Sequence, residues 1–397
     1  MHADFVIIGA GILGLTIARE LRTQYPKSKI VVLEKEHQIG LHASGRNSGI
    51  LHAGIYYKSD SLKAKFCLEG SRAMAAYCDE HHLPIHRIGK IIVPGKAADA
   101  AVLNTLYARA IENGTNVQLI NGDDLRRLEP HARIEADLAL FSPETAVVDP
   151  KSILKHLQES LIKQHVLFYF NHFCKTVNTK QKKISVGTHD MSYGHLFNTA
   201  GLYADQVASA CGLQDRYTMI PFKGMYYELA PSSSIQINHL IYPVPDMNVP
   251  FLGVHFTKSI HGTIYVGPTA IPVLGREHYT GWSGIRMSEA VDTFRQLGRH
   301  YMTNKQGFRA YAHQEIPRFI KSRFVASARS LVPSLSASDL IKSKKVGIRA
   351  QLFDKQKQEL AMDFIVSSTG NETHVLNAVS PAFTSSFSFS KHVVIGK

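Results

Sequence analysis

The chain has 397 residues but only four cysteines and one tryptophan. Cys67, Cys78, Cys174 and Cys211 form no C-x-x-C pair and no zinc-binding spacing. That argues against a disulfide scaffold, a dithiol redox centre and a structural zinc site, and no metal ligand set is expected. They read as reduced, mostly buried thiols of a cytoplasmic protein. No apolar run reaches the length of a membrane-spanning helix. The apolar start lacks a basic leader region, so no signal peptide is expected. Internal repeats and low-complexity linkers are absent. Acidic residues are in deficit, at 32 against 45 lysines and arginines, which leaves a net charge of +13.

What is present describes a folded protein. Hydrophobic residues make up 44% and charged residues 19%, which excludes a disordered chain, and the length suits two domains with a sizeable core. Much of the basic excess lies between Arg276 and Lys345, as in Arg318-Phe-Ile-Lys-Ser-Arg323 and Lys342-Ser-Lys-Lys345. Such a stretch suits an anionic substrate, an anionic membrane surface, nucleic acid, or simply a solvated face. No zinc-finger, RNP-like or helix-turn-helix pattern accompanies it, so no nucleic-acid partner is expected.

The most informative residues are the first fifty. An apolar strand over residues 4–8 runs into Gly9-Ala-Gly11-Ile-Leu-Gly14, and an apolar helix over 12–21 follows. A second apolar strand over 30–33 delivers Glu34, twenty residues after Gly14. Gly9 permits the tight turn, Gly11 lets backbone approach a pyrophosphate, and Gly14 lets helix and strand pack closely. The helix N-terminus faces the phosphates, and Glu34, with Lys35 beside it, is placed for the ribose. Strand, turn, helix, strand and acid agree on a bound dinucleotide.

The next segment selects FAD over NAD. His42-Ala-Ser-Gly-Arg-Asn-Ser-Gly-Ile-Leu-His-Ala-Gly-Ile-Tyr-Tyr57 is dense in small residues, hydroxyls and amides, where a plain crossover helix would suit NAD. Ser44, Arg46, Asn47 and Ser48 offer donors to a pyrophosphate and ribityl chain. Gly45, Gly49 and Gly54 let backbone lie flat against an isoalloxazine ring.

That run, followed by Ser61-Leu-Lys-Ala-Lys65, resembles the L-2-hydroxyglutarate dehydrogenase/oxidase family of D-amino-acid-oxidase-like flavoproteins. The resemblance continues at Pro221-Phe-Lys-Gly-Met-Tyr-Tyr-Glu-Leu229, Leu240-Ile-Tyr-Pro-Val-Pro245 and Pro250-Phe-Leu-Gly-Val-His-Phe-Thr257. It returns at Val266-Gly-Pro268 and Gly347-Ile-Arg-Ala-Gln351, and closes at His374-Val-Leu-Asn-Ala-Val-Ser-Pro-Ala-Phe-Thr384. Four positions depart from the family pattern: Lys223 where Arg is usual, Thr269 where Asn is usual, and Val379 and Phe383 in the last block, where Pro and Ala are usual.

The expected fold is α/β (α+β), with a discontinuous Rossmann-like FAD-binding domain and a second, mixed-sheet substrate domain. The first takes residues 1–84, 142–214 and 341–397; the second takes 85–141 and 215–340. Within them, helices are expected over 61–81, 97–112, 123–128, 138–142 and 204–210, and a basic helical region over 283–329. Strands are expected over 85–94, 167–187, 195–201, 225–229, 262–266 and 362–367, with a turn at 377–386 before a C-terminal helix. Gly201 ends one strand and Ser380 lies in the turn, both placed to meet the cofactor.

A flavin that oxidises a 2-hydroxy acid needs a base for the hydroxyl proton, cations for carboxylates, and its N5 facing the C2 hydrogen. His52, in the cofactor loop, and His255 are the candidate bases. His52 is favoured because that loop holds it near the ring; His255 would then orient substrate, and the reverse assignment stays open. The resemblance implies a substrate with two carboxylates, for which Lys223 and Arg349 are the candidate cations and Tyr56 and Tyr242 the hydroxyl donors. The expected reaction converts L-2-hydroxyglutarate, or a close relative, to the 2-oxo acid, with electrons passed to a quinone or oxygen. The basic region suggests peripheral attachment to the cytoplasmic face of an anionic inner membrane. An amine or amino-acid oxidase of the same fold is the nearer alternative; a non-catalytic flavoprotein acting through its basic face, including on RNA, is the more distant one.

Overall fold

In the computed structural model, residues 1–396 are described except 136, 188, 214 and 248–250. Pro250, the first residue of one resemblance block, and the expected boundary residue Gln214 lie outside the described residues.

The first strand, His2–Ile8, is buried along Phe5–Ile8 and pairs in parallel with Ile30–Leu33 on one side and His189–Asn198 on the other. Burial on both faces is why residues 5–8 and Ile30–Leu33 read as continuous apolar runs. Six strands follow the order 174–178, 183–186, 189–198, 2–8, 30–33, 167–169, and the hairpin Ile365–Thr369 and Glu372–Asn377 joins beside 189–198. The helix Ile12–Gln24 crosses back over this sheet and packs on Ala382–Ile395 and Pro150–Lys163. Gly14 is obligatory at that crossing, because a Cβ there would lie 1.9 Å from the Gly9 carbonyl oxygen.

The helix Leu62–Glu80 begins at Ser61, whose Oγ accepts from the Ala64 N–H at 3.1 Å. It lies close against the C-terminal helix: a Cβ on Gly70 would meet Ser385 Cα at 2.6 Å. Two buried serines of that last helix bond across to its neighbours, Ser388 donating to the Phe66 carbonyl and Ser390 pairing with Thr16. This close packing sets the segment 378–384 beside the loop that contains His52.

A second, ten-stranded sheet is built around one long antiparallel pair, Tyr217–Leu229 with Leu340–Asp354, in which Phe222 faces Arg349 and Gly224 faces Gly347. The strand 340–354 therefore belongs to this sheet and not to the first, as does Glu359–Leu360. A small third sheet joins Ile50–Leu51, Ala146–Val148 and Ile85–His86.

Residues 138–142 do not form the expected helix. Ala139–Ser142 is a strand paired with Lys90–Val93 and with Gln118–Ile120, a strand not read from the sequence. A four-residue apolar run carries no periodicity long enough to separate the two states. The basic region contains helices Met287–Thr303, Phe308–Glu315 and Lys321–Arg329.

Candidate active site

Two cavities adjoin at Gly11, Ala43, Ser44, Thr199 and Gly201, at the carboxyl end of the first sheet. One runs past Glu34 and Lys35; the other runs past His52 to His255 and Arg349. Two lobes that meet at a helix N-terminus offer the kind of space that an extended dinucleotide fills.

In the first lobe, Glu34 is fixed by its neighbours: Oε2 accepts from the Ala10 N–H at 2.9 Å and Oε1 from the Glu36 N–H at 3.1 Å. Its carboxylate is thereby held at the tip of the second strand, where a ribose diol would donate to it. Lys35 is engaged by its neighbours, Glu36, His42 and Glu277, the last at 2.6 Å. Those two carboxylates hold its ammonium above the ordinary lysine range against the opposing effect of burial.

At the waist, Ser44 Oγ accepts from the Ile12 N–H at 3.0 Å, at the start of the helix. Gly9 has φ +101°, and Gly201 has φ +56° with open space where a Cβ would stand. Arg46 and Asn47 line the second lobe but spend part of their hydrogen bonding on the loop itself: Arg46 donates to the Leu41 carbonyl at 2.6 Å, and Asn47 to that of Ser44 at 2.7 Å. Ser48 lines the same lobe. Helix N-terminus, glycine cradle, ribose-placed acid and loop donors together fit FAD.

The second lobe brings together His52, His255, Tyr242, Arg349 and Ser380. Both imidazoles are buried. The His255 Nδ1 lies 2.8 Å from the Gly253 carbonyl oxygen, an acceptor, so that nitrogen carries the proton and Nε2 is left as the basic atom. Its ring stacks on Tyr242 with centroids 4.0 Å apart. His52 Nε2 is 3.5 Å from Ser380 Oγ, and its Nδ1 has no partner among the described residues. Burial, then the positive groups Lys90 and Arg349 and the other imidazole, push His52 down to about 3. Burial, with Arg349 and Lys90, takes His255 down to about 4 against the opposing Gly253 bond. Both rings are neutral at pH 7. Arg349 sits over the Phe251 ring, its guanidinium carbon 4.9 Å from the centroid.

Two of the sequence candidates are placed elsewhere. In the strand Tyr217–Leu229, Phe222, Gly224 and Tyr226 line the cavity. Lys223 falls between them in the alternation and so points to the other face, where its ammonium donates to the His278 carbonyl at 3.1 Å. Tyr56 is buried behind the lining, in the apolar cluster that also holds Tyr242 and Ile92. Gly14 is a packing residue at the crossing described above. Of the departures from the family pattern, Thr269, Val379 and Phe383 line the cavity and Lys223 does not.

Other lining residues carried no sequence signal. Glu315, at the end of a basic helix, reaches the cavity, where Oε2 accepts from the Ala270 N–H at 3.0 Å and the other oxygen pairs with Arg318. Burial raises its carboxyl. Phe222 and Tyr226 line the cavity through the period of the strand Tyr217–Leu229, which begins well before the residues 225–229 expected from sequence.

Comparison with known proteins agrees with this geometry. The family model described as FAD dependent oxidoreductase matches residues 4–394. The chain is 35% identical over 392 residues to L-2-hydroxyglutarate dehydrogenase of Indibacter alkaliphilus, covering 98% of this chain and 97% of that protein. It is 33% identical over 398 residues to the Escherichia coli protein of the same name, covering 98% and 92%. Among solved structures, FAD-bound L-alpha-glycerophosphate oxidase from Mycoplasma pneumoniae superposes with a TM-score of 0.77 at 21% identity, covering 99% and 94%. Glycine oxidase from Geobacillus kaustophilus superposes at 0.72 and 15%, with the same coverage.

Proposed function

Because this chain belongs to the FAD-dependent oxidoreductases, and within them to the L-2-hydroxyglutarate dehydrogenase family, we propose that it oxidises L-2-hydroxyglutarate to 2-oxoglutarate. The observation that carries this reading is the second lobe, where two neutral imidazoles and one guanidinium converge beside the FAD cradle. When bound there, FAD supplies a two-electron acceptor for the hydride at C2 of the substrate.

The protein's own residues do the rest. Arg349, fixed over Phe251, takes a substrate carboxylate through a charge-assisted contact. His255 accepts the hydroxyl proton at Nε2, since its Nδ1–H is committed to Gly253 and its plane to Tyr242. This exchanges the roles favoured from sequence: His52, beside Ser380, orients the substrate. A dianionic substrate raises the basicity of both rings as it enters, which offsets their low starting values. Tyr226 and Thr269 shape the remaining wall.

Arg349 would take the carboxylate of either a hydroxy acid or an amino acid; a glycine or sarcosine-like substrate is disfavoured by the likeness to L-2-hydroxyglutarate dehydrogenases over nearly the whole chain. The test is steady-state formation of 2-oxoglutarate with a soluble dye as acceptor. Turnover of the L-hydroxy acid without turnover of glycine or sarcosine supports the assignment; amine turnover alone overturns it.

Attachment to an anionic membrane surface is part of the same reading and favours a quinone over oxygen as electron acceptor. The helix Met287–Thr303 supports this. It buries Ala290, Thr293 and Leu297 on one side, yet Met287, Val291, Phe294 and Met302 recur at helical spacing on the exposed side. Trp282, the single tryptophan, is 90% exposed just before it, and Ile316, Phe319 and Ile320 are exposed further along. Exposed Arg286, Arg295 and Arg299 flank the stripe. Apolar anchors among basic residues suit an interfacial helix. No helix among the described residues is long and apolar enough to cross a membrane. Flotation with anionic liposomes, lost in a Trp282→Ser, Phe294→Ser double variant that keeps dye-linked turnover, supports this surface. Equal flotation of both proteins removes it.

A further inference from the structure

Behind the cavity, outside its lining, lies a cation that the reaction as described does not use. Lys90 opens the strand Lys90–Val93 in the middle of the second sheet, where it is paired across from Leu240. The residue is 0% exposed, and its Nζ has no hydrogen-bond partner among the described residues. Two aromatic rings hold it instead: Nζ is 4.7 Å from the Tyr56 centroid and 5.4 Å from that of Tyr242. Tyr242 is the ring on which His255 stacks.

The titratable group acting on Lys90 is the Cys67 thiol, which burial pushes up to about 12 and so keeps neutral. A buried ammonium with no anion to pair it is costly, and methionine would fill the same space without that cost. The charge itself therefore has a use. The cations acting on both His52 and His255 are Lys90 and Arg349, and His255 acts on His52 as well. The Glu315 carboxyl lines the same cavity but is engaged by Arg318 and the Ala270 N–H. Arg349 faces the cavity, where a carboxylate can neutralise it; Lys90 has no such access and its charge persists.

We propose that Lys90 is a positioning residue for this reaction, a fixed cation clamped by Tyr56 and Tyr242 that keeps a second positive charge off the two histidines and orders the ring stack carrying His255. Burial lowers its ammonium to about 8, so it is charged at neutral pH. A fixed cation at this depth also favours negative charge gained in the cavity, which biases bound FAD toward its reduced form. The proposal rests on the assignment of the base to this histidine pair.

Holoenzymes carrying Lys90→Met, Lys90→Gln and Lys90→Arg test it, with two readouts that a merely structural role leaves unmoved. The first is the acid limb of kcat/KM for L-2-hydroxyglutarate, which moves up by about one pH unit in the Met and Gln variants and stays in place in the Arg variant. The second is the midpoint potential of the bound flavin at neutral pH, measured by dye-linked reduction without substrate. It falls in the neutral variants and is retained by Arg. A folded, yellow Met or Gln variant with both readouts at wild-type values overturns the proposal, as does an Arg variant that shifts like Met. If wild-type protein turns over no hydroxy acid, the functional assignment fails, and the potential still decides the role of Lys90. If Lys90→Met does not fold, the Gln variant carries the comparison.

Discussion

His255 lies flat against Tyr242, ring centroids 4.0 Å apart and planes 21° from parallel, with its Nδ1 2.8 Å from the Gly253 carbonyl oxygen. The two contacts fix both the ring plane and the tautomer, which is what separates a general base from a histidine that happens to line a cavity.

Replacing that base removes the proton acceptor and leaves the cofactor cradle intact. His255→Asn is expected to lower kcat by about 10²- to 10⁴-fold while the purified protein keeps its full complement of FAD. His52→Asn is expected to act mainly on KM. Steady-state kinetics on both variants checks the division; a larger kcat loss in His52→Asn would return the base to that residue.

Arg349 and Lys223 separate in a second comparison. Arg349→Lys loses the two-pronged contact with a carboxylate, and KM is expected to rise by about tenfold or more, roughly 1.4 kcal/mol of binding. Lys223→Ala, on the other face of its strand, is expected to leave KM within about twofold, as a half-buried side chain away from the cavity should. A large KM effect at Lys223 would mean that the alternation argument misplaces it.

Gly14→Ala is expected to yield protein without bound flavin or without a stable fold, because the added methyl carbon would stand 1.9 Å from the Gly9 carbonyl oxygen. Glu34→Gln keeps the shape and loses the charge; its expected effect is weaker retention of FAD through gel filtration with an unchanged circular dichroism spectrum. Full retention by both variants would contradict the cradle.

The buried histidines also set a pH dependence of stability. His52 is held at about 3, and His255 and His374 at about 4, burial being the largest cause in each. An unfolded chain protonates them near 6.5, so between that value and about 4 the unfolded state binds more protons. Their contribution is fully present above pH 6.5 and is lost as pH falls. Thermal midpoints are therefore expected to hold from pH 8 to 7 and to decline steadily from 6.5 to 4.5. A flat profile over that lower range would show that these side chains are charged or solvated in the fold.

How far the sequence carried differs by residue, for physical reasons. Gly9, Gly11, Gly14 and Glu34 were legible because each answers a local steric or hydrogen-bond demand within one strand–turn–helix unit. The loop donors from Ser44 to Ser48 followed from composition alone. Lys223 shows where a motif block misleads: its charge suited a carboxylate, but the period of the strand assigns the cavity to Phe222, Gly224 and Tyr226. The strands Gln118–Ile120 and Ala139–Ser142 were too short for periodicity to identify. Glu315 and Lys90 reach the region of the site only through tertiary packing of a helix and a central strand, and nothing local in the chain announces them.

The most direct test of the central claim is anaerobic reduction of the purified yellow protein, followed as loss of the flavin absorbance, with each enantiomer of 2-hydroxyglutarate offered separately. Rapid bleaching by the L form, slow or absent with the D form, is the expected result. FAD-replete protein that bleaches with neither enantiomer, or with an amine in their place, would contradict the assignment and identify Thr269 and Phe383 as marks of a changed substrate.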